Sequence, residues 1–203
     1  MVVYGIQTLT GRSQAQELLA RAIQLHWGLE RLPAQMRTRW GKPYFPDLPQ
    51  YRFNLSHSGS FALCALSAHP VGVDIQVVRP SWSPKLVERS CTPEERAWLS
   101  SRRDAPEDFA ALWACKESMG KQSGQGLPYP PSRLAAPLPE NGLPLPTQTT
   151  TGDGRFLCLY SGEGWRGAVC SLGPPPGAVT WLSLPSCQAP STAAVCLSQP
   201  FSI

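Results

Sequence analysis

The sequence predicts a folded chain of mixed helices and short strands, forming one domain or two small halves that share a core. Three observations support this. The length of 203 residues sits near the usual domain range of roughly 100–200. The composition is 42% hydrophobic and 16% charged, too apolar and too weakly charged for a disordered chain. Apolar residues recur at helical spacing in some segments and at period two in others, with turns drawn from 22 prolines and 17 glycines.

Taken in order, Ser13-Gln14-Ala15-Gln16 reads as a capping box whose side chains satisfy first-turn amides. Leu18, Leu19, Ala22 and Ile23 follow at helical spacing and Gly28 can close the helix, predicting a helix over 13–27. Gly41-Lys42-Pro43 then interrupts regular structure. Arg52–Leu55 and Phe61–Ser67 read as strands around a polar turn, Ser56-His57-Ser58-Gly59. Past His69-Pro70, residues 72–77 alternate: Val73, Ile75 and Val77 share one face, Asp74 and Gln76 the other. Thr92-Pro93-Glu94-Glu95 is a second capping box, and Asp104-Ala105-Pro106-Glu107 opens a helix over 105–122 that ends near Gly124. Proline density makes 127–146 an irregular surface segment. Phe156–Tyr160, Trp165–Leu172 and Val179–Leu184 read as strands, and the Ser/Pro/Ala-rich tail 185–203 as frayed.

The net charge of +4 is unevenly placed. Residues 1–60 hold seven Lys or Arg against three Asp or Glu, whereas the two signs balance in the remainder. No apolar run reaches the roughly 18–20 residues of a membrane span, and the N-terminus has no basic-then-apolar signal pattern. The seven cysteines are scattered without a C-x-x-C pair and read as free thiols of a reducing, cytoplasmic environment. Arg37, Arg39 and Trp40 hint at nucleic-acid binding, but the neutral remainder of the chain argues against it.

Three features carry chemistry. In the 105–122 helix, Trp113, Glu117 and Lys121 fall at i, i+4 and i+8 along one side, with Lys116 beside them. That spacing equally suits an ordinary solvated Glu–Lys pair. Asp74, with Gln76 two residues on, suits a hard cation such as Mg²⁺; one strand carboxylate and one helix carboxylate make a minimal site completed by a phosphate. Spacing does not show that Asp74 and Glu117 meet. Ser56 and His57 in a tight turn suit phosphate oxygens, although a lone histidine is by default structural.

In sequence order, Gly41-Lys42-Pro43-Tyr44, Phe53-Asn54-Leu55-Ser56-His57-Ser58, Gly72-Val73-Asp74-Ile75 and Trp113-x-x-Lys116-Glu117-x-x-x-Lys121 resemble the 4′-phosphopantetheinyl transferases, and most closely their surfactin-type branch. The resemblance implies an α+β fold of two similar subdomains, a pseudo-dimer in which each half is a small antiparallel sheet packed with a long helix. The halves would span 1–70 and 71–184, followed by the tail. The implied reaction moves phosphopantetheine from coenzyme A to a serine of an acyl or peptidyl carrier protein, with Mg²⁺, releasing 3′,5′-ADP. Carried over by position, Lys42, Ser56, His57 and Arg12 would hold coenzyme A phosphates, and Asp74 and Glu117 would hold the metal with Gln76 in support. Glu117 would also help remove the serine proton, and Lys121 would contact the attacked phosphate. The family often has glutamate where this chain has Gln76, so weaker metal binding is expected. A non-catalytic coenzyme A or carrier-binding module, a Mg²⁺-dependent phosphohydrolase and a nucleic-acid binder are the rival readings. The expected protein is a cytoplasmic monomer without nucleic-acid or membrane partners.

Overall fold

The computed structural model describes residues 1–184 apart from Thr10, Asp104, 127–129 and Asn141, with Arg12 described by its backbone alone. The expectations for the tail, for Asp104 as a cap and for the Arg12 side chain therefore lie outside the described residues.

Strand β1 (Val2–Ile6) leads to helix α1 (Arg12–Trp27), a two-rung ribbon of β2 (Met36–Arg37) with β3 (Pro43–Tyr44), and the hairpin β4 (Arg52–Ser58) with β5 (Phe61–Ser67). Next come β6 (Val71–Val77), helices α2 (Pro84–Ser90), α3 (Pro93–Ser100) and α4 (Ala105–Ser123), and a 3₁₀ turn at Pro131–Arg133. Strands β7 (Gln148–Thr150), β8 (Phe156–Gly162), β9 (Trp165–Ser171) and β10 (Thr180–Trp181) follow. The two main sheets are ordered β10-β1-β5-β4 and β6-β9-β8-β7. The mixed α+β class is as expected. In both sheets the first strand of a half lies beside the last strand of its hairpin (β1 on β5, β6 on β9), with a long helix placed between them in sequence.

Four local expectations are corrected. Ser13 does not cap α1: Gly11, in extended backbone, occupies the N-cap position, so the helix starts at Arg12 and Ser13 lies inside the first turn. The polar segment Ser56-His57-Ser58 is strand, because pairing with β5 continues to Ser58 opposite Phe61 and leaves only Gly59 and Ser60 to turn. Pro43 belongs to the β2–β3 ribbon, with Gly41 supplying the turn at φ 83°. Finally, β10 lies in the span expected for the second subdomain yet pairs in parallel with β1, so the first sheet is not purely antiparallel.

The other signals hold. Gly28 closes α1 in the left-handed conformation at φ 68°, and Thr92 and Glu95 form the reciprocal capping box of α3. Leu18, Leu19, Ala22 and Ile23 are fully buried against Phe53 and Leu66 of the first sheet and against Phe45, which follows β3. Phe109, Leu112, Cys115 and Met119 of α4 pack on Leu157, Ala168 and Cys170 of the second. Val71, Val73 and Ile75 are buried with Leu63, Ala65 and Val169, a cluster shared by both sheets. No helix among the described residues is long and apolar enough to cross a membrane.

Candidate active site

Residues 72, 74 and 76 share one face of β6, and α4 crosses that face. A Cβ at Gly72 would stand 2.0 Å from the Ser118 carbonyl oxygen and 2.4 Å from the Gln122 nitrogen, so only glycine lets the helix backbone come this close. Two residues on, Asp74 therefore meets Lys121, Nζ to Oδ1 at 2.6 Å. Ser56 Oγ donates to the same oxygen at 2.6 Å and accepts from Lys121 Nζ at 3.1 Å. Gln76 Nε2 donates to Asp74 Oδ2 at 2.7 Å. Glu117, one turn before Lys121 on α4, is half-buried. Burial and the Asp74 charge push its carboxyl above the usual range, and Lys121 partly offsets them. Asp74, Glu117, Lys121, Ser56 and Gln76 thus form one cluster.

A side-chain seam aligns the two halves at this point. As the edge of its sheet, β6 leaves alternate N–H groups without a strand partner. Asn54 Oδ1 accepts from Val73 N at 2.8 Å, Ser56 Oγ from Ile75 N at 3.4 Å and Ser58 Oγ from Val77 N at 3.1 Å. Every other residue of β4 thus serves every other amide of β6, in one register. Asn54 and Ser58 enter the sequence reading only as members of a motif and not as site residues; the period-two recurrence of small polar side chains at 54, 56 and 58 is the signal that could have found them.

The residues expected to hold phosphate separate. Ser56 is buried in the cluster, whereas His57, its neighbour on a strand, faces the opposite way and is exposed. One anion is therefore not gripped by both side chains. Lys42 Nζ donates to the carbonyl oxygens of Lys121 (2.6 Å), Val71 (3.0 Å) and Gln122 (3.3 Å). Beside it lies a cavity of about 320 Å³ bordered by Thr38, Tyr44, Arg52, Pro70 and Ser123.

Lys116, expected only to neighbour the Glu117 stripe, points away from it into the core. Its Nζ reaches Glu95 Oε2 and the Ser90 carbonyl, and both members of the pair are 1% exposed. Glu95 also takes the amides of Thr92 and Ala136, so it ties α3, α4 and the 134–136 segment together. Burial pushes the Cys170 thiol up to about 11 and the Cys91 thiol up to about 12, which makes neither a nucleophile near neutrality.

The donor set fits a hard divalent cation. Two carboxylates, one with its pKa raised by burial and by the other's charge, lie with one ammonium among the described residues, and Gln76, whose amide nitrogen donates to Asp74, also carries a neutral oxygen. No group of three or more His, Cys, Asp or Glu able to hold a metal occurs among the described residues, so a bound ion would need oxygens from elsewhere, as phosphate supplies.

Comparison with known proteins agrees with this site. Residues 70–170, which include β6 and α4, match the 4′-phosphopantetheinyl transferase superfamily. The chain is 35% identical over 184 residues to the 4′-phosphopantetheinyl transferase ffp of Bacillus subtilis, covering 87% of this chain and 79% of that protein. It is 32% identical over 181 residues to Sfp of Bacillus subtilis strain 168, with the same coverage. A mouse protein, L-aminoadipate-semialdehyde dehydrogenase-phosphopantetheinyl transferase, is 31% identical over 143 residues, 62% of this chain and 45% of its own length. With extended matches to ffp and Sfp, and with β6 and α4 inside the matched region, the chain belongs to the 4′-phosphopantetheinyl transferase superfamily, in its surfactin-type branch.

Proposed function

We propose that the protein transfers the 4′-phosphopantetheine arm of coenzyme A to a serine hydroxyl of an apo acyl or peptidyl carrier protein, releasing 3′,5′-ADP. The observation that carries this reading is the meeting of Asp74 and Lys121 across β6 and α4, with Glu117 on the same helix side. In transfer, the serine oxygen forms a bond to the phosphorus of the phosphopantetheine arm while the bond from that phosphorus to the 3′,5′-ADP oxygen breaks. Glu117 takes the serine proton, a task helped by a carboxyl pKa raised by burial and by the Asp74 charge. Lys121 offsets charge on the attacked phosphate.

Asp74 and Glu117 would hold Mg²⁺, with Gln76 contributing a neutral oxygen. The ion, when bound, neutralises pyrophosphate oxygens. His57, on the exposed side of β4, contacts a coenzyme A phosphate, and Arg12 is assigned there by family position. Ser56 acts in this reading from behind, orienting Asp74. The coenzyme enters beside the Lys42 cavity. The common strand order of the two sheets supports a pseudo-dimer with halves joined near residue 70, and β10 returns to the first half. The protein works as a cytoplasmic monomer in this reading, with no nucleic-acid partner.

Gln76, where the family often has glutamate, favours one alternative, a module that binds coenzyme A or a carrier without transfer. A panel of apo carrier proteins incubated with coenzyme A, Mg²⁺ and the protein separates the two. Mass gain of one phosphopantetheine arm on a carrier supports transfer; coenzyme A binding with no carrier modified leaves the module.

A further inference from the structure

We infer that Lys42 is a positioning residue for this reaction: it reaches from the first half to the end of α4 and anchors the turn that carries Lys121. The inference rests on the transferase reading for its catalytic consequence and on the geometry alone for the anchor. An ammonium has three protons. Those of Lys42 are matched by three main-chain carbonyls, of Val71, Lys121 and Gln122, which leaves none for a phosphate. The shortest contact, 2.6 Å, is to the carbonyl of Lys121 itself, 79 residues away in sequence.

The last turn of a helix has carbonyls without intrahelical partners and a partial negative charge, so a cation there satisfies both. Among these carbonyls, that of Gly120 accepts from Gly126 N and Ser123 Oγ, that of Lys121 from Gly124 N at 3.2 Å as well as from Lys42, and that of Gln122 from Lys42. Lys42 is itself held in a closed turn. Thr38 N donates to the Lys42 carbonyl at 2.9 Å, Gly41 N to the Thr38 carbonyl at 2.8 Å, and Lys42 N to Thr38 Oγ1 at 3.2 Å. Because Gly72 lets the α4 backbone lie on β6, the helix end has little room to shift without moving Lys121 on Asp74.

The anchor is pH-sensitive. Burial and the Arg52 guanidinium on β4 bring the Lys42 ammonium down to about 8, with Cys170 on β9 acting in the opposite sense. Asp153 and Arg155 lie beyond Cys170, and the Lys121 ammonium on α4 is turned to Asp74. As pH rises through this value the amine loses its proton and charge, and its hold on the helix end weakens.

Lys42→Met and Lys42→Arg, compared with wild type between pH 6.5 and 9.5, test this. The expected result for Lys42→Met is a turnover loss on the order of tenfold to a hundredfold, the scale of a small misplacement, with KM for coenzyme A changed about twofold or less. Wild-type turnover should fall above about pH 8. Lys42→Arg, which stays charged, should keep most of the turnover and move that decline to higher pH. Amide exchange of 119–124, measured without substrate and corrected for the intrinsic effect of pH, should quicken above the same pH in wild type and not in Lys42→Arg. A raised KM with unchanged turnover in Lys42→Met would make Lys42 a coenzyme contact and overturn the proposal. An exchange profile in Lys42→Arg identical to wild type would overturn it too, and serves if Lys42→Met does not fold. Were wild type to modify no carrier while the exchange difference persisted, the transferase reading would fall and the anchor would stand.

Discussion

Two lysine–carboxylate pairs sit five residues apart on α4, and they differ in what surrounds them. Lys116–Glu95 is sealed, each side chain 1% exposed. Glu95 accepts from Lys116, Thr92 and Ala136, and Lys116 also reaches a carbonyl, so the charges are fully committed. Lys121–Asp74 is half open: Asp74 is 3% exposed but Lys121 27%, and the Glu117 carboxylate beside them makes no ion pair among the described residues. A sealed pair fixes where a helix sits. An open pair with a surplus carboxylate can still exchange partners, and that is the property a phosphoryl-transfer site needs.

Substitution can break this contrast. The largest effect expected is on catalysis. Asp74→Asn or Glu117→Gln should cut transfer by about 10³-fold or more, on the scale of losing a general base or a metal ligand. Far-UV circular dichroism should remain unchanged, and near-wild-type transfer by Glu117→Gln would end the mechanism. Next is the sealed pair. Glu95→Ala should destabilise the fold by about 3–5 kcal/mol in denaturant titration, because it strands a buried ammonium. The double replacement Glu95→Leu with Lys116→Met should recover part of that loss, since an apolar pair avoids the charge-desolvation cost but leaves the Ala136 amide and the Ser90 carbonyl without these partners. No such rescue of activity is expected at Asp74 and Lys121; if an apolar pair there retained transfer, the two sites would not differ in kind.

Lys121→Ala comes third. Turnover should fall about 10²-fold, the scale of one oxyanion donor, with a smaller change in coenzyme A affinity by calorimetry. The mildest change sharpens the account of the open pair. Gln76→Glu adds a charge to the oxygen donors and should strengthen apparent Mg²⁺ affinity several-fold, read from the Mg²⁺ dependence of transfer. An unchanged affinity would remove Gln76 from the metal account.

Much of the fold was legible because its signals are local. The period-two run 72–77, the Thr92–Glu95 capping box and the αL glycine at 28 each depend on a few neighbouring residues, and each holds. The misplacements have equally local causes. Ser13 matched a capping pattern, but an extended glycine two residues earlier took the cap. The Ser56–Gly59 segment has turn composition, yet Ser56–Ser58 continue the ladder with β5 while the two hydroxyls face β6 amides that belong to the other half, and only its Gly59 is left to turn. In the site, Asp74, Glu117 and Lys121 could be named from the sequence, but their meeting could not. Lys116 and Lys42 had readable positions and unreadable surroundings.

The sequence by itself determined the family, the residue types able to do phosphoryl transfer and the faces on which β6 and α4 present them. It did so because residue type and periodicity are properties of the chain. The tertiary structure alone decided which lysine is sealed in the core and which faces the carboxylate cluster. It also decided that β10 returns to the first sheet and that Lys42 is directed to a helix end. Those outcomes depend on contacts between residues tens of positions apart. The close seat of α4 on Gly72 and the β4–β6 seam set the meeting of Lys121 with Asp74, because together they fix how β6, α4 and β4 lie on one another.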